Sequence, residues 1–425
     1  MTSVRVSPEP SVGLATTPRR SRPRGRPPLW LWGAALVALV PVLVPFGFLV
    51  SRLTGSGSRF FSIALSAETG RLAISTAVLV ALVAVSTAVI GVGAAWLTER
   101  TDLPGRRLWR VLVALPLVIP SYVIALTLVS ASGRGGLLAE ATGWAVPSLV
   151  GLPGAWIALT IATYPFVYLG TAATLRRLDP AHEESARSLG ASQLRVFRTI
   201  VIPQLRPALG SGLLLVALYT LSDFGAVSLV RYDSFTRLIY AQYAGRLDRT
   251  PAGVLALVLV VIALIVVWAE RATRGRAAYH GRPVSRPPRV TRLSPWSRGA
   301  ALSGLGLLAL MSLGLPVGTL LVWLERAPAD ERFPWGAIAG SVTASTLAAL
   351  VVAILVVPTA MLITRHASRS TAWVERASYA AFALPHITIG LAVVFFASRY
   401  LGSLYQSLTV LVLVYASMFL AQALG

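Results

Sequence analysis

The sequence predicts an all-α protein that crosses a membrane about ten times, and three observations predict it. Of 425 residues, 55% are hydrophobic and only 13% are charged, about half the charged share of an ordinary soluble domain. The apolar residues fall in long uncharged runs, each able to supply the ~20 helical residues that a hydrocarbon core demands. The runs lack the strict alternation of a barrel strand, and lipid admits only helices or closed barrels.

The first run, 29–50, follows a polar tail holding Arg19, Arg20, Arg22, Arg24 and Arg26. It is long for a signal peptide, contains Pro41 and Pro45, and lacks a small-residue cleavage site. A retained helix is expected. Further spans are expected near 72–97, 111–131, 153–174, 208–230 and 252–269, then 299–324, 338–363, 378–397 and 407–425. With the N-terminus in the cytoplasm, the inside segments hold 27 Arg and the outside segments 11, so the positive-inside rule sets that orientation.

The net charge of +22 comes entirely from Arg, since the chain has no Lys. The Arg residues lie between apolar runs, which makes the charge a mark of membrane topology and not of nucleic-acid binding. Absence of Lys excludes a phosphate-binding loop of the Gly-x-x-x-x-Gly-Lys type. The chain also has no Cys, which excludes disulfides, thiolate metal sites and Cys nucleophiles.

An internal parallel repeat is expected. Thr76 to Arg100 parallels Ser341 to Arg365 at an offset of 265, and Ala-Leu-Pro at 114–116 recurs at 383–385 at an offset of 269. Tyr164 parallels Tyr415 at an offset of 251. The organisation expected is a basic tail (1–28), a first helix with an external loop (29–71) and a first transmembrane domain (72–271). A cytoplasmic linker (272–298), an extra helix with an external loop (299–340) and a second, shortened domain (341–425) follow. The linker, with Arg282, Pro283, Arg286, Pro287, Pro288 and Arg289, reads as a solvated connection; contact with anionic membrane lipid is its functional alternative. After Tyr415 the chain runs only ten residues, to Gly425. If the halves match, a further stretch of about 95 residues with a second cytoplasmic loop is expected beyond it.

The inside loop 175–207 is the most informative segment. Asp179 suits an N-cap and Pro180 a first helical position. Gly190 suits the left-handed position past a helix end. Ser192 can cap a second helix, with Pro203 as its stop. Leu194, Phe197, Ile200 and Val201 form one apolar face, with Arg195 and Arg198 directed elsewhere. Two short helices with a bend would offer a ridge for docking into a partner's groove.

Here the residues resemble a family. Glu184-Ser-Ala186, Gly190, Ile200, Ile202 and Pro203 are similar to the EAA loop of binding-protein-dependent ABC importer permeases. That pattern reads Glu-Ala-Ala, three residues, Gly, nine residues, Ile, one residue, a bulky aliphatic and Pro. Ser185 is the one departure. The resemblance implies that the loop, with Glu184, Ala186, Gly190, Ile200 and Pro203, docks on a separate ATP-binding subunit. It further implies an extracytoplasmic solute-binding protein as partner, a plasma-membrane location, no cofactor and no enzymatic activity in this chain. Residues 219–249 resemble the fused, two-repeat permeases for ferric iron. Thiamine, phosphonate and polyamine permeases share the architecture and remain alternatives.

Four residues are candidates for the pore. Asp223 is the one acidic residue well inside a span, and such residues are functional candidates; its carboxylate would suit a hard cation. The competing reading is a cap at a helix break near Gly225. His386 is the one His in a span, with a packed neutral ring as the alternative. Tyr164 and Tyr415 either line the interface between halves or pack there. A membrane-embedded enzyme would need more polar groups at depth, whereas an ion-coupled secondary transporter remains the runner-up.

Overall fold

A computed structural model describes residues 27–54, 57–144, 146–245, 248–274, 290–328, 334–366 and 368–424. The basic tail up to residue 26 and the Arg/Pro-rich stretch 282–289 lie outside the described residues. Among the described residues every regular element is helical, and the only β-type pairings are the isolated bridges Thr101–Thr291 and Gly133–Val146.

The chain opens with α1 (Leu29–Thr54), short α2 (Ser58–Ala64) and α3 (Ala67–Arg100). Ser66 caps α3 by accepting from the Thr69 amide at 3.2 Å. At 34 residues, α3 is about 51 Å long and reaches well past a ~30 Å hydrocarbon core. Next come α4 (Arg106–Ala114), a 3-10 turn at Leu115–Val118, and α5 (Ser121–Ala131). The axis bends by 95° between them, so the expected straight span at 111–131 is corrected to a broken one. Pro120 is the cause: it drives Ile119 to an extended conformation (φ −85°, ψ 119°) and cannot continue the preceding hydrogen-bond ladder.

External α6 (Leu137–Thr142) leads to α7 (Gly151–Arg177), then α8 (Pro180–Ser188) and α9 (Gln193–Val196). A π-turn at Phe197–Val201 joins α9 to α10 (Ile202–Ser222). Gln193–Ser222 is thus one 30-residue rod, and Pro203 does not stop it. Proline lacks the N–H that a regular turn needs and crowds the carbonyl four residues back, and the wider π-turn just before it relieves both. The same device recurs at Leu310–Gly314, ahead of Pro316, between α14 and α15 as defined next.

The rod ends at Ser222, short of the expected end at 230. Then follow α11 (Gly225–Leu229), α12 (Phe235–Gly245), α13 (Thr250–Arg274), α14 (Pro295–Ala309) and α15 (Leu315–Arg326). The last elements are α16 (Trp335–Arg365), α17 (Arg369–Ala383), α18 (His386–Tyr400) and α19 (Leu408–Leu424). Among the described residues seven helices are long and apolar enough to cross a membrane alone. The bent α4–α5 pair and the shorter apolar α18 and α19 account for the other expected spans. The span expected at 378–397 is likewise broken, at Leu384–Pro385, and His386 becomes the first residue of α18.

Pro120 and Pro385 occupy matching places, each capping the second helix of a broken pair with φ −57° and ψ 141° or 130°. Their offset is 265, the offset of the α3 and α16 ends. The match of Ala-Leu-Pro at 269 is therefore corrected: Pro116 lies in the 3-10 turn, one turn ahead of the break.

The extra helices α1 and α14, which lead into α3 and α16, are exchanged. Leu31, Ala35 and Leu39 of α1 pack with Leu362, Val374 and Ala377 of α16 and α17. Conversely, Ala301 and Leu305 of α14 pack with Ala94, Tyr164 and Tyr168 of α3 and α7. In the segment from α3 to α10, α3, α7 and α10 pack against one another. A Cβ at Gly91 would come within 2.8 Å of the Val167 side chain and 2.9 Å of the Tyr168 amide. Small residues at crossings let backbones approach where lipid offers no hydrophobic drive to association.

Candidate functional site

The cytoplasmic loop after α7 is built largely by its own caps. Asp179 accepts from the Ala181 amide at 2.9 Å and starts α8. Gly190 ends it at φ +84°, with no atom within 4 Å of where a Cβ would sit. The demand on Gly190 is thus conformational and not steric. Ser192 accepts from the Arg195 amide at 3.3 Å and starts α9.

Only some of the expected apolar ridge faces outward. Val196 and Val201 are buried, and Phe197 packs edge-on against Trp96 at 4.9 Å. Those side chains fix the rod to α3. Leu189 (89% exposed) and Leu194 (56% exposed) are left exposed on either side of the Gly190 bend. Glu184 is exposed beside them, and Ala186 is half-buried. Ile200 and Pro203 are half-buried on the rod that continues into the membrane.

Sequence reasoning passed over the charges beneath this loop. The Nη2 of Arg100, at the end of α3, donates to Oε1 of Glu183 at 2.6 Å. The Arg100 side chain is 1% exposed and that of Glu183 12%. Neighbouring Glu99 is buried and accepts from Arg110 at 2.8 Å, with Arg176 at 3.7 Å. Asp102 accepts from the Leu293 amide at 2.8 Å and from Arg298 at 2.9 Å. The Leu293 amide first, and the Arg298 guanidinium with it, hold the Asp102 carboxyl below the usual carboxylate range. This clamp is therefore present at neutral pH and lost only as pH falls through that depressed value. Thr291 adds backbone bonds to residues 100 and 102 at 2.8 and 3.1 Å, and its hydroxyl accepts from Gln193 at 3.3 Å. The only sequence signal for this junction is the row of charges from Glu99 to Asp102 at the end of an apolar helix.

The four pore candidates are not brought to one place. Asp223 lies at the break between α10 and α11, and its Oδ1 accepts from the amides of Ala226 and Val227 at 2.9 and 3.4 Å. Its Oδ2 accepts from the Ser121 hydroxyl, at the start of α5. Its backbone carbonyl accepts from Thr236 at 2.6 Å. The carboxylate thus joins two helix breaks, and Gly225 permits the contact: a Cβ there would lie 2.7 Å from the Tyr122 Cβ. Tyr164 is fully buried among α3, α7 and α14 side chains. His386 and Tyr415 instead share a cavity of about 910 Å³ lined by α16, α18 and α19.

A bundle of long apolar helices, broken at two matched prolines and carrying a capped two-helix loop on its cytoplasmic side, defines a class of multi-pass membrane transport proteins. Residues 88–269 match the family described as the binding-protein-dependent transport system inner membrane component. The chain is similar to the Fe(3+)-transport system permease protein FbpB 2 of Haemophilus influenzae. The two are 31% identical over 407 residues, 94% of this chain and 78% of that one. It is 29% identical over 260 residues to the sulfate transport system permease protein CysW of Synechocystis sp., covering 59% of this chain and 92% of that one. It is 32% identical over 201 residues to the molybdenum transport system permease protein ModB of Escherichia coli, covering 44% and 87%. The chain belongs to the family of binding-protein-dependent transport system inner membrane components, the ABC importer permeases. It is a multi-pass inner-membrane permease.

Proposed function

We propose that this permease moves ferric iron inward, receiving it from an extracytoplasmic binding protein and drawing energy from ATPase subunits docked on the loop at 179–203. The observation that carries the reading is the exposed Gly190 bend, flanked by Leu189 and Leu194 and joined to a buried base. Two apolar side chains left in water beside a charged helix suit a partner's groove. Glu184 and Gly190 are the coupling residues in this reading, with Ala186, Ile200 and Pro203 holding the loop's shape. Hydrolysis of ATP then belongs to the partner and not to this Lys-free chain.

Iron is favoured by the name of FbpB 2, a relative along most of the chain. Asp223 lies at the break between α10 and α11, and hard cations prefer oxygen ligands. Engaged by Ser121 and two amides, it serves in this reading to hold the break open to substrate. The names of CysW and ModB favour an oxyanion as the second reading. In this reading 72–271 and 341–425 form two repeats around one path.

The test is purification of the chain with its cognate ATPase and binding protein, followed by uptake of radioactive iron or sulfate into proteoliposomes. Glu184→Lys and Gly190→Val are expected to insert normally but to lose at least about tenfold of uptake, since αL geometry resists a β-branched side chain. Normal uptake by both variants would end the coupling role.

A further inference from the structure

We infer that Arg100 is a positioning residue for coupling: its buried ion pair with Glu183 makes the docking loop and the end of α3 one rigid strut. The inference rests on the docking role proposed for the loop, and it adds the route by which loop displacement enters the bundle.

The geometry is specific. Arg100 is the last residue of α3, and its guanidinium is shut away from water beneath α8. Nη2 meets Glu183 at 2.6 Å, while Nε and Nη1 find no hydrogen-bond partner among the described residues. Among the described residues the pairing of this buried cation therefore rests on one carboxylate, supplied by the docking loop. The Trp96 ring 6.0 Å away adds only a weak attraction. A buried charge that loses its one partner is left uncompensated, so α8 cannot swing away without either dragging α3 or stranding Arg100. Exposed pairs behave differently, because water replaces either partner.

The strut has a second attachment. Two residues on, Asp102 holds Leu293 and Arg298 at the entry to α14, and Thr291 bonds both to this turn and to Gln193 of the loop. A push on α8 thus meets α3 of the first half and the start of α14 at one junction. Glu99, paired with Arg110, ties α4 to the same helix end.

The absence of native Cys permits a direct test on the full chain in lipid nanodiscs, with and without its ATPase. Cysteines replacing Ser188 at the end of α8 and Leu108 on α4, both exposed, carry spin labels whose distance distribution is measured. The wild-type pairing is expected to give a narrow distribution. Arg100→Gln and Glu183→Gln are each expected to widen it by about twofold, and the double variant no further, because coupled residues are non-additive. In the assembled importer the same variants are expected to retain the ATPase and its hydrolysis. Iron delivered per ATP should fall by about tenfold, within the range usual for coupling between two sites; a merely stabilising pair would lower assembly and hydrolysis together. Unchanged widths in both single variants, multiplying effects in the double, or an unchanged iron-to-ATP ratio would overturn the strut. Should Arg100→Gln fail to insert, Glu183→Gln, nearly isosteric and partly exposed, decides alone. Failure of the docking role shows separately, as a wild-type chain that retains no ATPase, and the distance measurement on the chain by itself still judges the strut.

Discussion

Asp223 shows how one carboxylate can be read from sequence while one of its partners stays hidden. An acidic residue in an apolar run is visible at once, and so is the Gly225 that marks a break. What the run does not reveal is Ser121, 102 residues earlier in the chain, whose hydroxyl meets the same carboxylate. If capping is the main role, Asp223→Asn keeps the Oδ1 acceptor for Ala226 and Val227 and leaves thermal stability and uptake close to wild type. Asp223→Ala removes it and should destabilise by about 1 kcal/mol or more. Thermal unfolding in detergent, alongside iron uptake, checks the pair; a defect of Asp223→Asn in uptake with stability intact would restore direct contact with the cation. The caps at Asp179, Gly190 and Ser192 were legible because capping is local. The Arg100–Glu183 pair was not, because its members lie 83 residues apart and nothing local says which of the 38 arginines is buried.

At the level of helices, apolar run length located the helices: among the described residues seven are long and apolar enough to cross a membrane, and the bent α4–α5 pair makes an eighth, because lipid makes helix obligatory wherever an uncharged run is long enough. Breaks were harder. Pro120, Pro203 and Pro385 look alike in sequence, yet two end a helix and one does not: Pro203 follows a π-turn and the helix runs on, and Pro165 and Pro358 sit inside helices as well. Helix crossings were equally hidden. Gly91 and Gly93 differ by two positions on α3, but a Cβ at Gly91 would strike the backbone of α7, whereas Gly93 has nothing within 4 Å. Gly91→Ala should therefore cost about 1–3 kcal/mol by overpacking, and Gly93→Ala should be neutral or slightly stabilising. Melting of the two variants in the same detergent tests this, and equal melting temperatures would contradict the crossing.

For the molecule as a whole, α1 packs against α16 and α17 while α14 packs against α3 and α7, so each lead-in helix is buried far along the chain from its neighbours in sequence. That exchange was invisible in the sequence, since apolar faces on different spans are interchangeable until they pack. The class was legible, because the EAA-like spacing sits on the cytoplasmic side by Arg count. The central claim is that ATP hydrolysed by a docked partner drives this permease inward. It is tested most directly in proteoliposomes holding the chain with its ATPase and binding protein, by measuring radioactive iron uptake with ATP supplied to the cytoplasmic face. The account predicts uptake that requires ATP and the ATPase, persists when proton and sodium gradients are collapsed by ionophores, and disappears with Gly190→Val. Uptake by the chain alone, driven by an ion gradient and indifferent to ATP, would contradict it.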